Sequence, residues 1–377
     1  MVDSATAQSI TLPPIAGLRK VLICGPVAEV GKPARGGFES ANLRMMTLVR
    51  RLCAAAGALR YPEVEGGAAA KAGAYLVAFC RIGLAILGGD ARGTAIHFTP
   101  LSKQFMPWEC ALILLARLKG YKIVFDIRAG SQRRLYLAGG LVNRATFRWG
   151  LRLAHVVAYE GKPYDAFLEE VVPGKPRFWL PNMIPASELK VRDGFDAQGP
   201  RLIYVGLVSE AKGAPAAVKL ARQLRARLPG TTLTFVGRRD PAVASLLEDA
   251  GGSASWIDYT GALPPAEVYA RLDHAHYFIF LSLWRGEGHS NALTEAMARG
   301  CVPVVTRHGF SADVVDSGGC VVDDRDDVAK AVDWIVANWN ARDWAASSRA
   351  TVDRVAENFT DRQALRNLHA IYRAAFA

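Results

Sequence analysis

Short apolar runs alternate with helical patterns along this chain, and the alternation restarts near its middle. In the first half, strand-like runs lie at residues 21–25, 122–127 and 155–159, and a glycine loop and a helical pattern (42–57) follow the first of them. In the second half, strand-like runs lie at residues 201–208, 231–237, 276–282, 301–305 and 320–322. This alternation predicts a parallel sheet covered by helices in each half. The predicted fold class is therefore α/β, with two Rossmann-like, doubly wound domains facing across a cleft.

A stretch rich in Pro and Gly, residues 173–200, separates the two halves. It predicts a domain boundary, which we place between an N-terminal domain at residues 1–185 and a C-terminal domain at residues 196–357. A chain of 377 residues is long enough for two such domains.

Basic residues are concentrated in the first half of the chain. The net charge is +11; residues 1–200 hold 26 Lys and Arg against 15 Asp and Glu, whereas residues 201–377 hold 20 of each. This excess predicts an anionic partner (a lipid surface, an anionic substrate or nucleic acid), with a solvated basic face as the alternative. Arg44, Arg50 and Arg51, beside Met45 and Met46, favour an anionic membrane leaflet rather than nucleic acid. Further arginines of this basic domain are Arg133, Arg134, Arg144, Arg148 and Arg152.

Neither the cysteines nor the apolar stretches indicate secretion. No two of the six cysteines have CxxC spacing, which predicts buried free thiols in a reducing compartment. The N-terminal residues lack the charged-then-apolar pattern of a signal peptide. The longest apolar stretch, residues 73–89, contains Arg81 and falls short of the ~20 residues that span a bilayer, so we expect a buried or interfacial helix. These features predict a cytoplasmic protein.

Two glutamates, Glu287 and Glu295, follow the strand-like run at residues 276–282. Glu287 is expected in the loop, and Glu295 roughly one turn into a helix for which Ser290 or Asn291 is the N-cap. The N-terminus of such a helix binds anions, and the neighbouring glycines let the backbone approach a ligand. A sugar nucleotide would place its diphosphate on the helix, with its sugar and its ribose on the two carboxylates. The spacing equally permits two glutamates that share no site, with Glu287 as a loop charge and Glu295 as a first-turn residue favoured by the helix dipole.

The segment EGHSNALTEAMARGCVPVV (287–305) resembles the E-x7-E signature of the family-4 retaining glycosyltransferases, which often read EGFPNVLLEAMAxGxPVV. Four further segments resemble parts of that family. LIYVGLVSEAKG (202–213) is similar to its phosphate-binding loop, and FVGRR (235–239) to its next strand and glycine turn. RGGFES (35–40) is similar to the GGxE loop over the donor diphosphate, and LPNMI (180–184) to the entry to the second domain. NFTDRQALRNLHAIYRAAF is similar to the terminal helix that crosses back, so we assign residues 358–377 to that helix.

The resemblance implies the GT-B fold, with the active site between the domains, and transfer from a nucleotide sugar with retention at the anomeric carbon. Glu287 would contact the donor sugar, Glu295 the ribose hydroxyls, and Lys212 the diphosphate. The implied donor-binding residues are Gly36, Gly37, Lys212, Gly237, Arg238, Glu287, Gly288, His289, Ser290, Asn291 and Glu295.

Some positions depart from the family pattern. The usual arginine after the first strand glycine is Leu207, and Arg238 or Arg239 is a candidate replacement, although a solvated turn is as good an interpretation. Many members have a histidine near the acceptor where this chain reads FDIRAG, so we predict Asp126 as the acceptor-side catalytic group, with a turn-capping Asp as the alternative. For His97 we predict a structural role.

The acidic residues allow two other interpretations. DDRDD (323–327) contains a DxD, which holds a metal in other transferases, but Asp326 or Asp327 as an N-cap explains it, and we predict no required metal and no cofactor. A hydrolase with paired carboxylates would leave the phosphate-binding elements without a purpose.

The sequence thus predicts a metal-independent, retaining hexosyltransferase that uses a UDP- or GDP-sugar. Its expected acceptor is a growing, lipid-linked surface glycan of bacterial type, such as lipopolysaccharide, at the inner face of the plasma membrane. The alternatives are a nucleotide-sugar 2-epimerase or a sugar phosphorylase of the same fold, and a non-catalytic nucleotide- or glycan-binding scaffold.

Overall fold

The computed structural model describes residues 10–28, 36–62, 67–101, 103–192, 198–244 and 256–377. The chain divides into two compact units. The first comprises Met1–Arg128, Gln132–Leu180 and Asp361–Ala377, and the second comprises Ala129–Ser131 and Pro181–Thr360.

The first unit is built on a six-stranded parallel sheet with the strand order β2-β1-β3-β4-β5-β6. Its strands are β1 (Lys20–Gly25), β2 (Ala55–Arg60), β3 (Thr94–Phe98), β4 (Lys122–Ile127), β5 (Val156–Tyr159) and β6 (Arg177–Trp179). Its helices are α1 (Gly37–Val49), α2 (Ala68–Gly88), α3 (Met106–Leu118), α4 (Gln132–Ala138), α5 (Leu141–Leu153) and α6 (Tyr164–Val171). Strands β3, β4 and β5 are buried along their length, apart from the half-buried first residue of β4.

The second unit has a parallel sheet of the same size, with the order β12-β11-β10-β7-β8-β9. Its strands are β7 (Arg201–Val205), β8 (Thr232–Val236), β9 (Ile257–Tyr259), β10 (Tyr277–Phe280), β11 (Val302–Thr306) and β12 (Cys320–Val322). Its helices are α7 (Ala214–Arg227), α8 (Pro265–His274), α9 (Asn291–Ala298), α10 (Ser311–Val315), α11 (Ala329–Asn340) and α12 (Trp344–Asn358). The last helix of the chain, α13 (Asp361–Phe376), belongs to the first unit. The predicted α/β class with two Rossmann-like domains is confirmed.

The helix predicted from residues 42–57 is wrong at both ends. Helix α1 starts at Gly37 and ends at Val49, and residues Ala55–Arg60 form β2, which pairs in register with β1. The sequence of β2, AAGALR, carries little apolar signal because the strand lies at the sheet edge and is only half buried. Strand β3 was missed for a different reason: Thr94 and His97 are polar but fully inside the unit.

The boundary between the units lies earlier than residue 185. Residues 181–192 group with the second unit because they make contacts there: Ile184 forms a bridge with Thr360, and Arg192 donates to the carbonyls of Leu272 and Ala275. The return to the first unit falls at Asp361, three residues after the predicted start of the terminal helix.

Helices α2, α3 and α5 pack side by side, whereas α1 packs with α13, so the first unit has two helical layers. The outward side of α2, α3 and α5, which we call the outer helical face, exposes many large apolar side chains. These are Leu76, Val77, Leu84, Leu87, Trp108, Leu114, Leu118, Leu141, Val142 and Trp149. Arg144, Arg148 and Arg152 of α5 are exposed on the same layer. By contrast, Met45 and Met46 of α1 are buried, so the methionines predicted beside a membrane face the core instead.

Helix α2 is longer than the apolar stretch predicted, at 21 residues. Its segment Ala70–Gly88 is long and apolar enough to cross a membrane by length and composition alone, and 22% of its residues are buried. Its inner side packs into the unit through Phe79, Ile82 and Ile86. Of the six cysteines, Cys24, Cys301 and Cys320 are buried as predicted, whereas Cys80 on α2 is exposed.

Candidate functional site

Two loops of the second unit, which follow the neighbouring strands β7 and β10, carry the predicted donor site. The loop after β7 is fixed by Tyr204, whose hydroxyl donates to the Leu207 carbonyl at 2.7 Å and lies 3.3 Å from the Lys212 carbonyl. Burial, and then the charge of Glu287, raise the pKa of Tyr204 above its ordinary value, so this hydroxyl keeps its proton. The Leu283 amide donates to the Ala211 carbonyl at 3.0 Å, which ties the two loops together.

Gly213 ends the first loop in a left-handed conformation, with φ +86°. A Cβ at this position would collide with the carbonyl of Leu281, so only glycine lets the two loops approach this closely. The approach of Gly213 fixes where the neighbouring Lys212 side chain starts.

Lys212, Glu287 and Ser282 form one buried cluster. The Lys212 ammonium donates to Glu287 Oε2 at 2.8 Å, and the Ser282 hydroxyl donates to the same oxygen at 2.6 Å. The Glu287 side chain is only 6% exposed and the Lys212 side chain 20% exposed, so this ion pair is largely shielded from solvent. The sequence placed Lys212 on a diphosphate and Glu287 on a sugar; the structure brings the two side chains into direct contact.

Trp284 supports this cluster from the solvent side. Its ring lies 4.3 Å from the Lys212 ammonium, and its carbonyl accepts the Glu287 amide at 3.0 Å and a His308 ring nitrogen at 2.8 Å. Gly286 packs against the same ring, where a Cβ would lie 2.9 Å from it. Sequence reasoning missed Ser282, Trp284 and Tyr204, because their roles depend on contacts between loops.

Helix α9 begins just beyond this cluster. Ser290 is its N-cap and its hydroxyl accepts the Leu293 amide at 3.4 Å, which confirms the predicted cap. The His289 ring pairs with the Thr294 hydroxyl (2.6 Å), and the His289 carbonyl accepts the Asn182 amide group (2.7 Å). The segment between Glu287 and α9 is therefore held by hydrogen bonds at His289, with the positive end of the helix dipole at the loop.

Three other predicted donor residues lie around the same loops. Glu295, in α9, is half buried, as are Gly288 and Asn291. These three residues and His289 lie in the region predicted to bind the nucleotide-sugar donor. Their contact with a donor stays a prediction.

The glycine turn after β8 packs on the loop after β7. Gly237 has φ +136°, and a Cβ there would collide with the Gly206 carbonyl. Arg238 is exposed, and its carbonyl accepts the Val208 amide at 2.8 Å. The Arg239 guanidinium lies 5.5 Å from the Tyr259 ring centre. Leu207, in the place of the family arginine, is exposed beside them.

In the first unit, Asp126 lies at the centre of a buried polar network. Its Oδ2 accepts Arg128 Nε at 2.6 Å and His97 Nε2 at 3.1 Å. Burial alone would raise the pKa of Asp126, but the charge of Arg128 and the bonds from both partners hold it below its usual value. Because His97 donates from Nε2, a neutral His97 accepts the Tyr372 hydroxyl of α13 at Nδ1, at 3.0 Å.

This network links strands β3 and β4 to the terminal helix through hydrogen bonds of His97, and its purely structural role stays a prediction. The carboxylate of Asp126 is fully buried, and its contact with an acceptor stays a prediction. Gly36 and Gly37 lie at the N-terminus of α1, where Gly36 is the extended N-cap, and no side chain of the described residues crowds a Cβ at Gly36.

The acidic stretch at residues 323–327 makes local contacts. Asp323 pairs with Arg307 at 2.7 Å, and the Asp327 carboxylate accepts the Ala329 amide at 3.2 Å. The N-cap position itself is Val328, one residue later than predicted, although Asp327 provides the capping bond. Within the part of the chain that the structure describes, no three His, Cys, Asp or Glu side chains are grouped to hold a metal ion.

The loops that carry Lys212, Ser282 and Glu287 lie within a segment that matches a known protein family. Residues 199–338 match the family described as glycosyl transferases group 1. The matched segment is less than half of the chain and lies within the second unit. No curated protein matches the chain significantly.

Solved structures resemble the chain over nearly its whole length. Sucrose-phosphate synthase of Thermosynechococcus elongatus is 15% identical with a TM-score of 0.69, covering 95% of this chain and 99% of that one. A glycosyltransferase of Rickettsia africae is 12% identical with a TM-score of 0.68, covering 95% and 98%. The HepE protein of Anabaena, solved with UDP-glucose, is 13% identical with a TM-score of 0.64, covering 93% and 98%. At these identities the likeness shows the fold, which is GT-B.

Proposed function

We propose that this protein is a retaining glycosyltransferase of family 4 that takes a hexose-type sugar from a UDP- or GDP-sugar. The observation that carries the proposal is the cluster of Lys212, Glu287 and Ser282, which lies after strands β7 and β10 and before α9. In open parallel sheets, ligands bind beyond the carboxyl ends of the strands. The match to glycosyl transferases group 1 covers all three residues.

The cluster suits a donor with two phosphates. Lys212 has three N–H groups, of which Glu287 takes one, and the ammonium can offset the charge that develops on a leaving diphosphate. The dipole of α9 adds positive potential at the same loop. Glu287, oriented by Ser282 and Lys212, is a fixed acceptor for a sugar hydroxyl, and Glu295 is our candidate for the ribose hydroxyls.

In this proposal no protein nucleophile attacks the sugar. The acceptor hydroxyl attacks the face from which the diphosphate departs, and the diphosphate oxygen takes the proton. The protein contributes positioning and electrostatic stabilisation. We also propose that no metal is needed, since the DxD residue Asp324 accepts the Asp326 amide at 2.9 Å, and the flanking Asp323 and Asp327 are used in an ion pair and a helix cap.

The stereochemical part is tested by slow hydrolysis of the donor. Proton NMR at early times should show the released sugar with the anomeric configuration of the donor, in the presence of EDTA, and Glu287→Ala should abolish release. An inverted anomer would exclude retention. An epimerised nucleotide sugar, or release that requires inorganic phosphate, would instead favour the epimerase or the phosphorylase, and a lack of any turnover would favour the scaffold.

For the acceptor we propose a lipid-linked surface glycan, met at the inner face of the plasma membrane. The support is the outer helical face, where α2 exposes apolar side chains such as Leu84, and α5 exposes Trp149 together with Arg148 and Arg152. Apolar anchors with flanking arginines are the pattern of interfacial membrane binding. Flotation with anionic vesicles should recover the protein, and replacement of both arginines by Glu should release it. Equal binding to neutral vesicles would contradict an electrostatic contribution.

A further inference from the structure

A groove of about 770 Å³ lies between α2 and the edge strand β2 of the first unit. The groove exists because α2 turns small residues, including Gly73, Ala74 and Ala78, towards the strand. Its walls are otherwise apolar, formed by Val27, Leu59, Val77 and Ile82. None of the residues assigned to the donor lines it, so the groove is separate from the predicted donor site.

The charged side chains among the described lining residues of the groove are all basic. Arg60 from the end of β2 and Arg81 from the middle of α2 both line it, and no acidic residue does so among the lining residues that the structure describes. Tyr61, which also lines it, turns its hydroxyl inward to Glu109 Oε1 at 3.0 Å. A sugar would find few hydrogen-bond partners here, whereas two guanidinium groups suit a phosphate.

We propose that this groove binds a lipid phosphate, with the hydrocarbon chain between α2 and β2 and the phosphate at Arg60 and Arg81. The position favours a membrane lipid, because α2 also presents Leu76, Leu84 and Leu87 on the outer helical face. One helix therefore borders both the outer helical face and the groove. The identification of this lipid as the carrier of the acceptor glycan rests on the proposed function; the binding of a lipid phosphate does not.

Two glycines of α2 give a matched pair of variants. A Cβ at Gly73 or at Gly88 meets no heavy atom within 4 Å, but only Gly73 lines the groove. Gly73→Leu should therefore add a side chain at the groove with no clash at its Cβ, and Gly88→Leu should leave the groove unchanged. Leucine is a better helix former than glycine, so neither variant should lose the fold.

The experiment is calorimetric titration of the full chain with hexyl, octyl and decyl phosphate below their micelle concentrations. Each added methylene should tighten binding by about fourfold if it is buried. We expect Gly73→Leu to lose this dependence on chain length, with Gly88→Leu unchanged. The double variant Arg60→Ala/Arg81→Ala should lose the preference for decyl phosphate over decanol, with Arg92→Ala, an exposed arginine outside the groove, as control.

Binding that is equal for hexyl and decyl phosphate, equal for decanol, or absent would overturn the proposal, as would an unchanged Gly73→Leu. UDP and GDP binding is measured on the same samples. If alkyl phosphates bind as expected and no nucleotide does, the proposed transferase function fails while the lipid site stands.

Discussion

Replacement of Lys212 by Met removes the charge from the donor cluster and keeps an unbranched side chain against Trp284. The Glu287 carboxylate then stays buried with Ser282 as its remaining donor in this cluster. Breaking a buried ion pair costs about 3–5 kcal/mol. Because the Lys212 side chain is 20% exposed and that of Glu287 6%, we expect about 2–3 kcal/mol. For a domain of this size, that corresponds to a fall in Tm of roughly 5–10 °C.

Differential scanning calorimetry measures this effect, with Lys330→Met, an exposed lysine of α11, as the control. The control should change Tm by no more than about 1 °C. The double variant Lys212→Met/Glu287→Gln should recover most of the lost stability, because no buried charge is left alone, yet it should stay inactive. Equal Tm values for Lys212→Met and Lys330→Met, or a double variant less stable than Lys212→Met, would refute the reasoning.

Three further predictions concern the second unit. Gly237→Ala should weaken nucleotide binding at least tenfold in a titration, because its Cβ collides with the Gly206 carbonyl; unchanged affinity would show that this turn does not shape the site. Burial, with the charges of Arg201 and Arg192, lowers the pKa of His276 from 6.5 to about 2, so the unfolded chain takes up a proton that the folded chain does not. The free energy of unfolding should therefore fall as the pH drops below 6.5, by up to about 1.4 kcal/mol per pH unit. His276→Asn should flatten the dependence of Tm on pH between about 6.5 and 5. An equally steep profile in the variant would exclude His276 as the source of the dependence. Ser290→Ala should cost about 1 kcal/mol and Ser290→Gly only a few tenths in urea unfolding, and equal losses would show that the cap bond contributes little.

The sequence predicted the parts of the site that depend on local chemistry. Ser290 as the cap of α9 follows from residue type next to a helical pattern, and the strand-loop-helix unit around Glu287 follows from apolar periodicity. The pairing of Lys212 with Glu287 could not be predicted in the same way, since 75 residues separate them and only the adjacency of β7 and β10 brings them together.

The missed strands have a similar explanation. Strand β2 lies at the sheet edge and therefore needs few large apolar residues, and β3 carries His97, whose polarity is satisfied by Asp126 and Tyr372. A pattern of hydrophobicity cannot show that a histidine is buried with its partners supplied by distant elements. For the same reason the sequence could not show whether Met45 and Met46 are buried in the core or inserted in a membrane. Either environment removes an apolar side chain from water.

The most direct test of the donor cluster is the release of nucleoside diphosphate from UDP- and GDP-sugars by the wild-type protein and by Glu287→Ala. We predict that one nucleotide sugar is cleaved by the wild-type protein, and that Glu287→Ala is still stabilised by the matching nucleotide but releases none of it. Cleavage by Glu287→Ala at the wild-type rate, or a wild-type protein that neither binds nor cleaves any nucleotide sugar, would contradict the account.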